Sequence, residues 1–586
     1  RKIDKESVPS AFKVVRPEEY DSILPQGPRV FDEYKNVHLF GDLHGCFTVL
    51  QKYFEENPFT QEDLYIFLGD YFDRGVENYV LFQFLKGLME NNNVLFLAGN
   101  HEDKLYKYAC KDEFKMDYDI KKTIEEFEEK GVDKSQIRGF IKKLAQISYM
   151  TFREKMYLIS HGGIPYFPKM PLDYVSSNSF IYGIDSYEVD IDKIYEEYMA
   201  NEEKKVYQVH GHRNHSQVDV DAYSFSFNLD GDVENGGYLR VLDLCDDGTV
   251  EHKTYKNDVF NSNLKEEIGV YNLIESMRST QFVYEKDLGN GVTSFNFTRD
   301  AFYHRRWNEI TTRARGLFLD VERYRIVARS YDKFFQIGER KETAFEELKA
   351  NLVYPVRGFL KYNGFLGIVS VFEDELFFAS KSTNVGRYVD NFKKIFYSTF
   401  DASQIEKIKN RVLSENVSLV FEVIDPLNDP HIIEYAQEKV VLLDVIYNTL
   451  QFEKFSYENL CALASEIGME VKRNVYDISN EADFERIYSQ VSSDDYTLEG
   501  EYVEGFVLED STGFMVKSKT AYYKKWKYLR NAMEEAVGKN EYSTKSKDAE
   551  TNHFMEYLRS KYENKAVDIE CLHITEERKG FLEKND

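Results

Sequence analysis

Between about residues 35 and 255, short apolar runs alternate with amphipathic stretches, which is an α/β rhythm. The runs that predict strands are Val37–Phe40, Leu64–Leu68, Val94–Leu97, Met156–Ser160, Val206–Val209 and Tyr238–Leu244. A charged helical stretch, about Lys111 to Lys143, interrupts them and reads as a helical insertion within about 105–145. Beyond about residue 260 the texture changes. Leu317–Val321, Arg325–Arg329, Gly358–Val371, Leu376–Ala379, Ser418–Ile424, Val440–Val445 and Gly505–Glu509 are β-rich, with helical segments such as Val389–Phe396 between them. That mixture predicts an α+β fold. Asn and Lys punctuate the chain near 255–275, and from about Tyr522 it turns helical and charged. The expected domains are therefore α/β over 1–260, α+β over 261–520, and a helical C-terminal region over 521–586.

Composition narrows the class. The 586 residues are 42% hydrophobic, enough for more than one core. With 11 Pro and 32 Gly the chain is neither collagen-like nor low-complexity. Its net charge of −27 excludes a generic basic coat for nucleic acid. It does not exclude a nucleic-acid enzyme, because phosphate contacts are local and charges are screened within ~8 Å. The five cysteines (Cys46, Cys110, Cys245, Cys461 and Cys571) are scattered and form no CxxC pair, so a reducing cytoplasm fits best. No apolar run approaches the ~20 residues of a membrane span, and no signal peptide is evident. The chain starts at Arg1 rather than Met, which leaves room for upstream sequence.

Five short motifs stand in order at or just after predicted strands: Gly41-Asp42-Leu43-His44-Gly45, Gly69-Asp70-Tyr71-Phe72-Asp73-Arg74-Gly75, Gly99-Asn100-His101-Glu102, His161-Gly162-Gly163 and His210-Gly211-His212. Asp42, Asp70 and Asn100 recur at about one βαβ unit, roughly 30 residues. Their side chains can therefore converge at the carboxyl ends of neighbouring strands, where open α/β sheets bind ligands. Two divalent cations ~3.5–4 Å apart need a bridging carboxylate, and Asp70 suits that role. Asp42, His44, Asn100, His161 and His210 supply the mixed N and O ligands that suit Mn, Fe, Zn or Ni, with manganese favoured. Arg74 is the expected clamp on the phosphate oxygens. His101, oriented by Asp73, is the expected proton donor to the leaving oxygen. These motifs resemble the calcineurin-like metallophosphatases, and more narrowly the phosphatase module of bacterial polynucleotide kinase-phosphatases. Asn100–Leu105, Asn228-Leu229-Asp230-Gly231 and Gly236–Leu239 carry the narrower likeness. The resemblance spans roughly 36–255 and implies a two-sheet sandwich flanked by helices. Many protein phosphatases carry Arg before the Gly-Asn-His-Glu motif; Ala98 stands here, which counts against a phosphoprotein substrate.

A second constellation follows. Lys361-Tyr362-Asn363-Gly364 lies between β-rich runs, ahead of Phe421-Glu422-Val423, Glu504-Gly505-Phe506 and Phe514–Lys519. A lysine that attacks the α-phosphate of ATP must first lose its proton, and Lys381, Lys517 and desolvation are expected to depress its pKa. The same cations and a divalent metal would offset charge developing on the phosphates. This order resembles the tRNA-repairing RNA ligase of T-even phages, within the covalent nucleotidyltransferases, over roughly 270–530. Arg315-Gly316, Ala328–Phe335, Phe421–Asp444 and Glu504–Lys519 carry the likeness. It implies that Lys361 is the nucleophile and that Arg315 and Lys381 contact nucleotide phosphates. It further implies that Glu422 and Glu504 bind nucleoside or metal, and that Lys517 and Lys519 hold the α-phosphate. The family's Lys-x-Asp-Gly is here Lys-x-Asn-Gly.

Together the two constellations imply a bifunctional RNA repair enzyme. A metal-dependent 3′-phosphatase, which could also take 2′,3′-cyclic phosphates, would heal ends. A ligase using ATP and Mg or Mn would seal them through lysyl-AMP, with broken tRNA-like RNA as partner. No GxxxxGK[ST] loop is present, so a polynucleotide 5′-kinase would act in trans or from an upstream domain. Lys519, Lys524, Lys525, Lys527 and Arg530, interleaved with Tyr522, Tyr523 and Trp526, form a candidate RNA-binding patch. The rival reading is a signalling phosphatase acting on phosphoproteins or dinucleotides, with a non-catalytic RNA-binding C-terminal module.

Overall fold

The computed structural model describes residues 28–585 except 112–115, 170–171, 173–174, 214–216, 430, 543–547 and 570–571. It divides into two compact units, Arg1–Ile268 and Gly269–Asp586. The boundary between them falls at Ile268 and Gly269. The helical C-terminal region belongs to the second unit rather than forming a third.

The strands of the first unit are β1 (Arg29–Val30), β2 (Val37–Phe40), β3 (Leu64–Phe67), β4 (Val94–Phe96), β5 (Ile147–Phe152), β6 (Lys155–Ser160), β7 (Val206–His210), β8 (Ser226–Asn228), β9 (Tyr238–Leu244) and β10 (Val250–Lys256). They form two five-stranded sheets, ordered β10-β9-β2-β3-β4 and β1-β5-β6-β7-β8. Side chains alternate across each strand with period two. Val37, Leu39, Leu64 and Ile66 point into a core shared with Met150, Ile159 and Val209 of the other sheet. Phe40, Tyr65 and Phe67 point the opposite way, under the helices Phe47–Glu56 and Asn78–Leu88. The sheets are thus buried on both faces, as the near-continuous apolar runs of β2 and β3 require. The predicted insertion is three helices, Asn100–Cys110, Tyr118–Glu129 and Lys134–Ile141.

The second unit holds β11 (Val283–Asp287), β12 (Val292–Phe297), β13 (Leu317–Asp320), β14 (Arg325–Arg329), β15 (Phe335–Gln336), β16 (Val356–Lys361), β17 (Phe365–Phe372), β18 (Glu375–Ala379), β19 (Val417–Ile424), β20 (Lys439–Tyr447), β21 (Asn474–Ile478), β22 (Gly505–Glu509) and β23 (Met515–Lys519). Three sheets result: β11-β12-β13-β14, β15-β23-β22-β16-β21 and β18-β17-β19-β20. The single run expected over Gly358–Val371 is broken at Tyr362-Asn363-Gly364 into β16 and β17, which lie in different sheets. The helices Arg387–Thr399, Ala402–Glu415 and Tyr457–Ile467 cover the sheet built on β19. The C-terminal helices Ala521–Lys539, Ala549–Tyr562 and Ile574–Asn585 share one core with Ile432 and Ile433.

Candidate active sites

In the first unit the predicted ligands come from turns just beyond strand ends. Asp42 and His44 follow β2, Asp70 follows β3, Asn100 and His101 open the helix after β4, and His161 follows β6. These turns are tight. His44, Asp70, Asp73, Arg74 and His212 all have positive φ between 40° and 74°, a region costly for residues with a Cβ. Two glycines make room for carboxylates. A Cβ on Gly99 would lie 2.1 Å from Asp70 Oδ1, and one on Gly211 would lie 2.0 Å from Asp42 Oδ1.

Asp70 sits at the centre. Its Oδ2 is 3.2 Å from His161 Nε2, 3.7 Å from His44 Nε2 and 4.0 Å from His101 Nε2. Its Oδ1 accepts the His101 backbone N–H at 3.0 Å. Burial opposes its charge, but the surrounding imidazoles His161, His101 and His44 hold its carboxyl well below the usual range. Asp42 is pushed the other way, by burial and by the neighbouring carboxylates Asp230 and Asp70. A buried carboxylate crowded by others is a site prepared for a cation. Among the described residues the donors converge as His44–Asp70–His101 and as Asp70–His161–His212. This N and O set, with Asp42 and Asn100 beside it, fits divalent transition metals. His101 Nδ1 lies 2.7 Å from Asp73 Oδ2, and the Thr123 hydroxyl donates to the other oxygen of Asp73. Arg74 donates to Glu234 at 3.0 Å and to Asp119 at 3.4 Å, so two carboxylates fix its fork. The resulting cavity, about 440 Å³, also takes in Tyr187, His212, Arg213 and Asp230.

One predicted ligand is corrected. His210 is the last residue of β7 and shares a face with Gln208, as period two dictates. Its Nε2 is 2.8 Å from Asp192 Oδ1 and its Nδ1 is 2.9 Å from the Gly211 carbonyl, away from the cavity. His212, beyond the strand end, faces the cavity instead. Its backbone N–H points at the Asp42 carboxylate at 3.2 Å, and its Nε2 is 2.8 Å from the Tyr187 hydroxyl. Strand alternation through Gln208 and His210 was the available signal. Asp230 lies in the quoted Asn228–Gly231 motif without having been assigned a role, and Arg213 and Tyr187 carried no such signal.

In the second unit, sheet register assembles the site. Lys361 pairs with Gly505, and Gly505 pairs with Lys519, so three strands bring Lys361, Glu504 and Lys519 together. Glu504 Oε1 lies 3.0 Å from Lys361 Nζ and 2.9 Å from Lys519 Nζ. Glu422 reaches across from β19 and accepts the Gly364 N–H at 2.8 Å. Asn363 explains the departure in the lysine motif. Its amide donates to Glu504 Oε2 at 3.0 Å while its Oδ1 accepts the Ile433 N–H at 3.1 Å. A carboxylate at this position could not donate. A cavity of about 210 Å³ opens beside Lys361, lined by Arg315, Lys517 and Glu422 together with Phe334, Leu366 and Met515.

The protonation of Lys361 also differs from expectation. Burial depresses its pKa, but Glu504 and Glu422 outweigh burial and hold it above the ordinary lysine value. The neighbouring cations behave oppositely. Lys517 is driven well down by burial and then by Arg315, Lys361 and Lys333. Burial, then Arg315 and Lys333, lowers Lys381, which stands outside the cavity lining over the Phe297 ring. Lys333 is a further cation of this group that motif reading left unassigned. Crowded cations of this kind suit a polyphosphate. The 519–530 patch is corrected as well. Tyr523 and Trp526 are buried in the helical core, Tyr522 stacks on Tyr502 at 3.7 Å, and Lys525 pairs with Glu550. Its aromatic faces are used for packing.

The first unit has the sandwich and carboxylate–imidazole centre of a metal-dependent phosphoesterase. The second has the lysine, carboxylates and cation wall of a nucleotidyltransferase. Residues 35–251 match the family model for calcineurin-like phosphoesterases, and residues 313–523 match that for RNA ligase. The chain therefore carries a calcineurin-like phosphoesterase domain followed by an RNA ligase domain. It is similar to a tRNA ligase of Candida albicans, with 24% identity over 255 residues, covering 38% of this chain and 30% of that protein. It is also similar to a bis(5′-nucleosyl)-tetraphosphatase of Bacillus subtilis, with 25% identity over 138 residues, covering 22% of this chain and 57% of that protein. The chain thus spans under a third of the first relative and somewhat over half of the second. An archaeal ATP-dependent RNA ligase of known structure shares 12% identity at a TM-score of 0.33, covering 53% of this chain and 75% of that one. Among the described residues no helix is long and apolar enough to cross a membrane.

Proposed function

We propose that the chain is a bifunctional RNA repair enzyme that removes a 3′-terminal phosphate and seals the healed end through lysyl-AMP. The observation that carries this reading is Lys361 itself. It lines a cavity together with Arg315 and Lys517, beside Glu504, within a region matching RNA ligases. Lys361 Nζ attacks the α-phosphorus of ATP and pyrophosphate leaves. Arg315, Lys517 and Lys519 hold the phosphate oxygens, Lys381 adds charge from outside the cavity, and Glu422 and Glu504 would hold the ribose or a Mg or Mn ion. The AMP then passes to an RNA 5′-phosphate, and the RNA 3′-hydroxyl displaces it.

In the first unit, Asp42, His44, Asp70, Asn100, His161 and His212 would hold divalent cations, which would supply Lewis acidity and activate water when bound; manganese suits this donor set. Asp73 fixes His101 so that its Nε2 faces the cavity, where it gives a proton to the leaving ribose oxygen. Arg74, held by Glu234 and Asp119, grips the phosphate oxygens. The substrates are broken tRNA-like ends, and the same site would open 2′,3′-cyclic phosphates. A polynucleotide 5′-kinase supplies 5′-phosphates in trans or from an upstream domain. Cys46, Cys110, Cys245 and Cys461 are unpaired, which accords with a reducing cytoplasm.

The test is incubation with α-labelled ATP and a divalent metal. Covalent label lost in Lys361→Ala is expected, followed by sealing of RNA bearing a 3′-phosphate. Absence of label would overturn the ligase reading. The tetraphosphatase likeness favours a second reading for the first unit alone, a phosphatase of dinucleotides. Faster turnover of diadenosine tetraphosphate than of 3′-phosphorylated RNA would support that instead.

A further inference from the structure

Segment 297–313 of the second unit carries a surface that no motif assigned. The run from Arg299 to Arg315 holds five arginines against two carboxylates, in a chain of net charge −27. After β12 the backbone makes a short helix, Arg299–Tyr303, then a turn through Arg305, then the helix Glu309–Arg313. This turn pushes side chains outward. Tyr303 is 75% exposed and Phe302 49% exposed, and His304, Arg305 and Arg306 are exposed beside them. Among the described residues, Arg299, Arg305 and Arg306 have no ion-pair partner.

The patch is continuous with the ligase site. Phe297, Phe302 and Trp307 cluster, with Trp307 5.0 Å from Phe297 and 5.7 Å from Phe335. Lys333 Nζ lies 4.6 Å over the Trp307 ring and 4.1 Å over Phe335, and Lys381 Nζ lies 4.9 Å over Phe297. The Lys381 carbonyl accepts the Gly316 N–H at 2.9 Å, which ties this edge to Arg315 in the nucleotide cavity. Arginines that track a backbone, beside exposed rings on which bases stack, are what a single strand of nucleic acid needs.

We propose that the exposed face formed by Phe302, Tyr303, Arg305 and Arg306 docks a single-stranded segment of the RNA being sealed and leads it towards Lys361. This rests on the ligase reading above; the surface itself is a separate site. The test uses the full chain and a 5′-phosphorylated single-stranded RNA, with affinity read by fluorescence anisotropy across a salt series. Replacing both arginines (R305A with R306A) should weaken binding at least tenfold and reduce the slope of log affinity against log salt by about 1.4, at ~0.7 for each phosphate no longer neutralised. Tyr303→Ala should weaken binding roughly tenfold with the salt slope unchanged, because stacking releases no counterions. Labelling of Lys361 by ATP should stay at the wild-type level in both variants, which also reports an intact fold. Unchanged RNA affinity in variants that still label would overturn the docking surface and leave the ligase reading standing. Wild-type protein that labels but binds no RNA would overturn both the surface and the RNA assignment. Variants that lose binding of an acidic peptide but keep RNA would assign the surface to a protein partner and overturn the proposal.

Discussion

His210 and His212 are separated by one glycine, yet only His212 reaches the metal-ligand cavity. His212→Ala should therefore abolish stoichiometric metal retention, measured by elemental analysis, with little change in melting temperature. His210→Ala removes a hydrogen-bond partner of buried Asp192 and should cost about 2 kcal/mol in denaturant unfolding, with metal still bound. Lys361 makes the second residue-scale argument. Its ammonium is held above the usual lysine pKa by Glu504 and Glu422, while the attack proposed for it needs the neutral amine. Single-turnover adenylation should thus climb with pH through the neutral and mildly alkaline range. Glu504→Gln removes the main carboxylate, lowers the lysine pKa and should shift that profile towards acid; an unmoved profile would show that the carboxylate does not govern the nucleophile. Residue types and order mark Lys361 and Asp70 as candidates in the sequence alone. The sign of the lysine shift was not legible, because carboxylates and cations from distant segments compete at one atom.

Strand-end turns are the elements that do the positioning. Left-handed backbone at Asp70, Asp73 and Arg74 packs three functional side chains into one turn, and Gly99 clears space for the first of them. Gly99→Ala should displace the Asp70 carboxylate and lower metal content and phosphatase turnover together, since a Cβ there has no free volume. Among the helices, Ala521–Lys539 buries Trp526, Leu529, Met533 and Val537, spaced as one face of a helix. That face was open to reading from the sequence, yet its aromatics could equally have been a base-stacking surface. Burial decides: Trp526→Ala should cost about 3–5 kcal/mol in unfolding, with RNA affinity of the folded protein unchanged.

At the scale of the whole molecule, the two candidate sites lie in two compact units. Asp70→Ala should abolish release of phosphate from RNA 3′ ends while Lys361 still takes label from ATP. Lys361→Ala should do the reverse, and only the unaltered chain should seal an RNA that begins with a 3′-phosphate. Equal loss of both activities in either variant would tie the sites together. The sequence by itself determined the two fold classes and pointed to a candidate set of residues for each site, because metal ligation and a lysine nucleophile would each demand particular side chains in a fixed order along alternating strands. Only the tertiary structure decided which histidine faces the cavity, why an asparagine stands beside Lys361, and which aromatic rings face solvent. Each of those depends on what lies across the space from a residue, and one-dimensional spacing does not carry that information.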